Sequence, residues 1–264
     1  MGLATIAQAF ARAKAEGRPA LMPYWSLGYP DADTSLSVIQ AITRAGADML
    51  ELGVPFSDPL ADGPVVQHAN QTALDRGITV RGCHDIARRA RQAGVSVPFF
   101  AMGYLNPLIA FGEARYVEAW QAVGADGLIV PDLPPEESGT LERECAAREM
   151  GLVQFTAPTS TDARISLAAA HATGFIYIVS VAGVTSARAT LATGLRDYVE
   201  RVKARANGKP VVVGVGISTA EHVREVGTFA DGVIVGSALL HHAGASPDLA
   251  QAALEFVRGL MYWR

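Results

Sequence analysis

AGADMLELGVPFSDPLADGP, residues 45–64, holds a helix end, a strand and a loop in one short run. Gly46 is a helix stop, and Met49–Leu52 is an apolar strand-type run with Glu51 near its end. The loop that follows is stiffened by Pro55, Pro59 and Pro64 and carries Asp58 and Asp62. A carboxylate closing a buried strand, with two more on a proline-rich loop, is poor material for a core. It suits an acid/base site built at a strand end.

Outward from this stretch the same unit recurs. Strand-type runs are predicted at Ala20–Trp25, Met49–Leu52, Val97–Met102, Gly127–Val130, Leu152–Thr156, Phe175–Val179, Pro210–Val213 and Gly232–Val235. Most are continuously apolar rather than alternating, as strands covered on both faces of a parallel sheet must be. Helical periodicity lies between them at Ser35–Arg44, Asp85–Ala93, Ala114–Val123, Glu136–Glu149 and Thr219–Val226. A weak repeat, Ala45-Gly46-Ala47-Asp48, Val123-Gly124-Ala125-Asp126 and Phe229-Ala230-Asp231-Gly232, leads each time from a helix end into a strand. Eight βα units with no linker between them predict an α/β chain, a closed (β/α)8 TIM barrel in one domain spanning 1–264. A doubly wound open sheet is the alternative that pattern alone leaves open. The first helix, with Leu3, Ile6, Ala7 and Phe10 on one face, is an added N-terminal element expected to plug the lower mouth of the barrel.

Composition narrows the class. Half of the 264 residues are hydrophobic, enough for a sizeable core. A net charge of −4 argues against nucleic-acid or acidic-membrane partners. Arg88, Arg89 and Arg91 form the tightest basic cluster and read as a solvated helix face. Cys83 and Cys145 make no CxxC pattern, which fits a reducing cytoplasm. No run approaches the roughly 18 apolar residues of a membrane span.

In a barrel, chemistry sits at the C-terminal ends of strands. From Pro19 to Gly82 the only cations are Arg44, Arg76 and Arg81, all on predicted helices or their edges, so a buried partner for Glu51 is not in view. An unpaired carboxyl among apolar strands has a raised pKa and donates a proton near neutrality, whereas Asp62, on a loop, is expected to stay ionised. Asp58 on the same loop reads most simply as part of a Ser-Asp-Pro turn. The glycine-bearing loops Ala182–Ser186, Gly214–Ser218 and Gly236-Ser237 follow late strands, and the last two precede helical pattern. That is a phosphate grip made of backbone and hydroxyl donors, with Ser186, Gly216, Gly236 and Ser237 as its candidates. Tyr24 and Tyr177 close strands one and six and are candidates to line a flat aromatic pocket. His68 is placed on the loop after Asp62, His222 reads as a solvated helix residue, and adjacent His241-His242 diverge on a helix, so no metal is expected.

ELGVPFSDPLADGP (51–64) resembles the signature of tryptophan synthase α subunits. MPYWSLGYPD (22–31), GYLNP (103–107), PDLPPEES (131–138), YIVSVAGVT (177–185), VGVGIS (213–218) and VIVGSAL (233–239) are similar to family segments and occur in family order. The resemblance implies cleavage of indole-3-glycerol phosphate to indole and glyceraldehyde 3-phosphate, with Glu51 and Asp62 catalytic. It implies that Thr185 orients Asp62 when the site closes. It implies that the loop with Pro55, Phe56 and Asp58 faces a β subunit, and that Asn106 and Asp132 serve communication or closure. No cofactor is implied in this chain. Pyridoxal phosphate is expected on the β-subunit partner, in an α2β2 heterotetramer. Val181, Ala182 and Ser186 depart from the Arg, Ser/Thr and Gly that many members carry, and Trp25-Ser26 is less usual in its strand. Other readings are a phosphate-binding sugar isomerase or epimerase, a stand-alone indole-releasing lyase, and a non-catalytic activator of the β subunit.

Overall fold

The computed structural model describes residues 2–179, 194–214 and 216–261. Its strands are β1 (Ala20–Ser26), β2 (Leu50–Gly53), β3 (Phe99–Met102), β4 (Gly127–Ile129), β5 (Gly151–Thr156), β6 (Ile176–Ile178), β7 (Val211–Val213) and β8 (Gly232–Val235). All neighbours pair in parallel, and β8 returns to β1 (Met22 beside Ile234), so the sheet closes into a barrel in sequence order. An open doubly wound sheet is thereby excluded. Burial of β1 and β2 along their whole length explains their unbroken apolar runs.

The helices are α1 (Leu3–Ala15), α2 (Ala32–Arg44), α3 (Pro64–Asp75), α4 (Val80–Gln92), α5 (Leu105–Phe111), α6 (Glu113–Ala122), α7 (Gly139–Ala146), α8 (Asp162–His171), α9 (Leu195–Lys203), α10 (Ala220–Gly227), α11 (Ser237–Gly244) and α12 (Leu249–Met261). Side-chain caps start several of them. Asp31 accepts from the Asp33 and Thr34 amides ahead of α2, and Thr79, Thr161 and Thr219 cap α4, α8 and α10. The single helix expected over Glu136–Glu149 is instead a 3-10 turn at Pro135–Glu137 followed by α7.

The lower mouth is closed by α1. Phe10 meets Phe175 edge-on at 6.1 Å, and Ile6 lies under Gly151. Ile6, Ala9, Phe10 and Ala13 form the inner face, whereas Ala7 is exposed, contrary to expectation. Above them Phe100 fills the barrel axis, 5.1 Å from Phe175, where Gly127, Gly151 and Gly174 leave room for its ring.

The repeat has a physical role at this end. Asp48 takes the amide of Leu21 at 2.9 Å, Asp126 that of Phe99 at 3.0 Å and Asp231 that of Val211 at 2.8 Å. Each aspartate ahead of one strand thus ties down the start of the strand before it. Asp48 also pairs with Arg12 at 2.9 Å and with both terminal nitrogens of Arg18. Asp126 pairs with Arg91 at 2.7 Å and accepts from Thr5 and the Gly2 amide. Arg91 therefore points inward, over the Phe99 ring at 4.3 Å, rather than sharing a solvated face with Arg88 and Arg89. His222 is likewise buried on α10, with Nδ1 3.4 Å from the Ser218 hydroxyl, not solvated.

Candidate active site

At the upper mouth a cavity of about 350 Å³ opens among the C-terminal ends of the strands. Tyr24, Glu51, Met102, Phe155, Tyr177 and Ile234 supply its floor and walls, and Asp62 and Val66 enter from the loop and helix after β2. Phe155 and Tyr177 stack at 5.0 Å, making one flat aromatic wall. Tyr24 and Tyr177 fit because glycine faces them: a methyl at Gly53 would overlap the Tyr24 hydroxyl, and one at Gly214 the Tyr177 ring. Tyr24 shares a hydrogen bond of 3.0 Å with Ser26.

Glu51 stands beside Tyr24 across the β1–β2 pair and is 3 % exposed. Among the described residues its Oε2 meets no hydrogen-bond partner. Burial, reinforced by the charge of Asp62, raises its pKa from 4.5 to about 8, so it is a protonated acid at neutrality. Asp62 is not the ordinary loop carboxylate expected. Burial lifts it to about 6, against the opposing pull of hydrogen bonds from Tyr104 and Asn70. It remains mostly ionised at neutral pH, and the two carboxyls are split in the direction that divides acid from anion.

Tyr104 and Asn70 are the positioning residues that sequence reading missed. The Tyr104 hydroxyl donates to Asp62 and accepts the Ala61 amide at 3.1 Å, fixing both loop and carboxylate. Asn70 donates to Asp62 Oδ2 at 3.2 Å, and its own Oδ1 has no partner among the described residues. One signal for Asn70 existed. On α3 the buried positions are Val66, Ala69, Asn70 and Ala73, so a polar amide interrupts an apolar stripe. Tyr104 carried no local sign beyond its place in the GYLNP segment.

Three of the residues expected to grip phosphate, Gly216, Gly236 and Ser237, line the same cavity. Gly236 precedes α11, whose first residue, Ser237, lines the cavity, so the helix start faces it. Gly216 joins them in a left-handed conformation (φ +64°) with open space around its Cα. Thr185 and Ser186 lie outside the described residues, as do the departures Val181 and Ala182. The remaining candidates sit on the rim. Pro55 is buried, and Phe56 leans on Tyr104 at 5.5 Å. Asp58 is exposed in its turn and accepts from Ser57 at 2.5 Å. Asn106 is exposed on α5, and Asp132 accepts the Leu105 amide at 2.9 Å, capping that helix. His68 lies on α3, not on a loop, exposed and packed against Tyr29. Among the described residues no group of three or more His, Cys, Asp or Glu is arranged to hold a metal ion.

A closed parallel barrel with a split carboxyl pair and an anion-receptive helix start at its upper mouth is an acid/base barrel enzyme for a phosphorylated aromatic substrate. The family described as tryptophan synthase alpha chain matches residues 10–259. The tryptophan synthase alpha chain of Roseiflexus sp. (strain RS-1) is 47 % identical over 260 residues, covering 98 % of this chain and 99 % of that one. A chain of Mycobacterium tuberculosis tryptophan synthase superposes with a TM-score of 0.89 at 33 % identity, covering 97 % of each. The tryptophan synthase alpha chain of Legionella pneumophila subsp. pneumophila gives 0.88 at 32 % identity, covering 98 % of this chain and 96 % of that one. The chain belongs to the tryptophan synthase alpha chain family. It is a lyase of tryptophan biosynthesis that cleaves indole-3-glycerol phosphate.

Proposed function

We infer that Glu51 and Asp62 carry this cleavage as acid and anion. The observation that supports the reading is a protonated Glu51, its Oε2 without a partner among the described residues, in the same cavity as an ionised Asp62. Glu51 gives its proton to the indole ring carbon that bears the glycerol chain. The ring nitrogen becomes cationic, and Asp62, accepting its N–H, stabilises that charge. The ionised Glu51 then takes the proton of the glycerol hydroxyl. The carbon–carbon bond breaks, its electron pair restores the indole ring, and the hydroxyl carbon becomes the aldehyde of glyceraldehyde 3-phosphate. The acid is regenerated in the same turn.

Tyr24, Tyr177 and Phe155 hold the indole plane, while Gly216, Gly236 and Ser237 anchor the phosphate. Remote binding at the phosphate thereby orients the scissile bond. Thr185 and Ser186 complete the two ends of the site in this reading. Pyridoxal phosphate belongs to the β subunit, and the chain works beside it in an α2β2 assembly in the cytoplasm. Leu60 and Ile109, 90 % and 57 % exposed, are the large apolar side chains left uncovered among the described residues, and both lie on upper-mouth elements. With Pro55, Phe56, Asp58, Asn106 and Asp132 they form the proposed docking rim. No described helix is long and apolar enough to cross a membrane.

Indole release from indole-3-glycerol phosphate, measured with and without a β subunit, tests the reading. Slow release accelerated by the partner supports it. Asp62→Asn is expected to lower turnover by roughly 10²-fold or more. Near-normal turnover in that folded variant would remove Asp62 from the mechanism.

A further inference from the structure

The sequence contains 22 lysines and arginines, and only three are lysines: Lys14, Lys203 and Lys209. All three line one cleft of about 500 Å³ at the lower mouth, the end of the barrel opposite the active site. Lys14 ends α1, Lys203 ends α9, and Lys209 lies in the turn before β7. Arg18 is a fourth cation in the lining, and Asp231 its carboxylate.

Most of that charge is accounted for, but not all. Arg18 is held by Asp48 and Glu16, and Lys203 by Asp231 at 2.9 Å. Lys209 gives one ammonium hydrogen to a neutral acceptor, the Ala169 carbonyl. Lys14 is exposed and makes no ion pair among the described residues. Among the described residues, two ammonium groups therefore face one cleft without a carboxylate of their own. Phe10 and Phe229 supply apolar wall, the latter covered on one face by Arg196 at 4.6 Å. Gly17 and Gly208 have open space where a side chain would stand.

Helix dipoles explain part of the pattern. Lys14 and Lys203 lie in last turns, where a cation complements the C-terminal partial charge. Arginine fills that role in α2, α4 and α12. The dipole thus accounts for a cation at each helix end. It does not account for lysine occurring at this cleft and nowhere else. A lysine presents a compact, rotatable point charge and leaves volume that a guanidinium would occupy.

We propose that this lower-mouth cleft is a second anion site, binding a small phosphate-bearing ligand whose apolar part rests on Phe10 and Phe229. The three lysines are the only side-chain amines, so a water-soluble amine acylator read lysine by lysine by mass spectrometry reports on the cleft alone. Occupancy of the upper phosphate site does not enter the readout. With inorganic pyrophosphate as probe at constant ionic strength, acylation of Lys14 and Lys209 is expected to slow saturably. The slowing is roughly tenfold at ten times the half-protecting concentration. Lys14→Gln, at an exposed position, is expected to raise the half-protecting concentration at Lys209 by roughly tenfold, the scale of one lost charge-assisted contact. Indole release stays unchanged in that variant. Lys14→Arg is expected to retain part of the protection. Protection that sodium chloride reproduces, that fails to saturate, or that keeps the same half-protecting concentration at Lys209 in Lys14→Gln would overturn the proposal.

Discussion

Both mouths of the barrel bury carboxylates, and they treat them in opposite ways. At the lower mouth Asp48 and Asp126 are 0 % and 1 % exposed, and each meets an arginine and a backbone amide. At the upper mouth Glu51 is also buried but, among the described residues, has an oxygen with no partner, and Asp62 is held by neutral donors, Asn70 and Tyr104. Burial alone therefore does not mark function. A buried carboxylate with a full set of donors holds the fold. One left short of partners keeps its proton in reserve and lowers stability in doing so.

The largest expected effect follows from exchanging a carboxyl at each end. Glu51→Gln should cut indole release by roughly 10²- to 10⁴-fold while leaving the denaturant midpoint equal or higher, because no partner is lost. Asp126→Ala should do the reverse. It strands Arg91 in the interior and should cost about 3–5 kcal/mol in unfolding free energy, with turnover per folded molecule retained. Equal losses of stability in the two variants would erase the distinction.

The pH dependence sharpens it further. kcat/KM should be bell-shaped, with limbs near the Asp62 value of about 6 and the Glu51 value of about 8. Asp62→Asn should abolish the acidic limb and move the basic limb down, since the Asp62 charge contributes to the elevation of Glu51. Stability carries the matching sign. Between about 4.5 and about 8 the folded chain keeps a proton on Glu51 that the unfolded chain has released. Folding is therefore weakened by this group as pH rises through that window. Equilibrium unfolding of Glu51→Gln across the same pH range should show the slope reduced. The smallest effect is expected from Tyr104→Phe, which removes one donor to Asp62. Turnover should fall by roughly tenfold, on the scale of one hydrogen bond to a charged group, and the acidic limb should move up because that bond lowers the Asp62 pKa.

How much of this was legible in the sequence follows from where the information lies. Eight strands were readable because double-sided burial writes itself as unbroken apolar runs, as in Val211–Val213 and Gly232–Val235. The place of Glu51 was readable because a barrel puts every strand end at one mouth. Partner choice was not, since it is settled across elements. Nothing local distinguishes Arg91, turned inward to Asp126, from Arg88, paired at the surface with Asp85. The donors to Asp62 come from α3 and from the start of α5, and only the closed fold brings them to one carboxylate. His222 was misread for the same reason, its burial being set by what α10 packs against rather than by its own polarity.

Asp48, two positions ahead of β2, and Glu51, within it, lie three positions apart in sequence, one at the lower end of the strand and one toward the upper mouth. Parallel strands have no hairpin between them to measure one against the other, and a slip of one place would turn every side chain from the barrel axis to the helices. The Asp48 carboxylate, gripping the Leu21 amide, is the ruler for the first two strands. It sets the height and direction at which the Glu51 side chain stands. A residue outside the cavity lining thus fixes the place of Glu51 from the lower end of the strand.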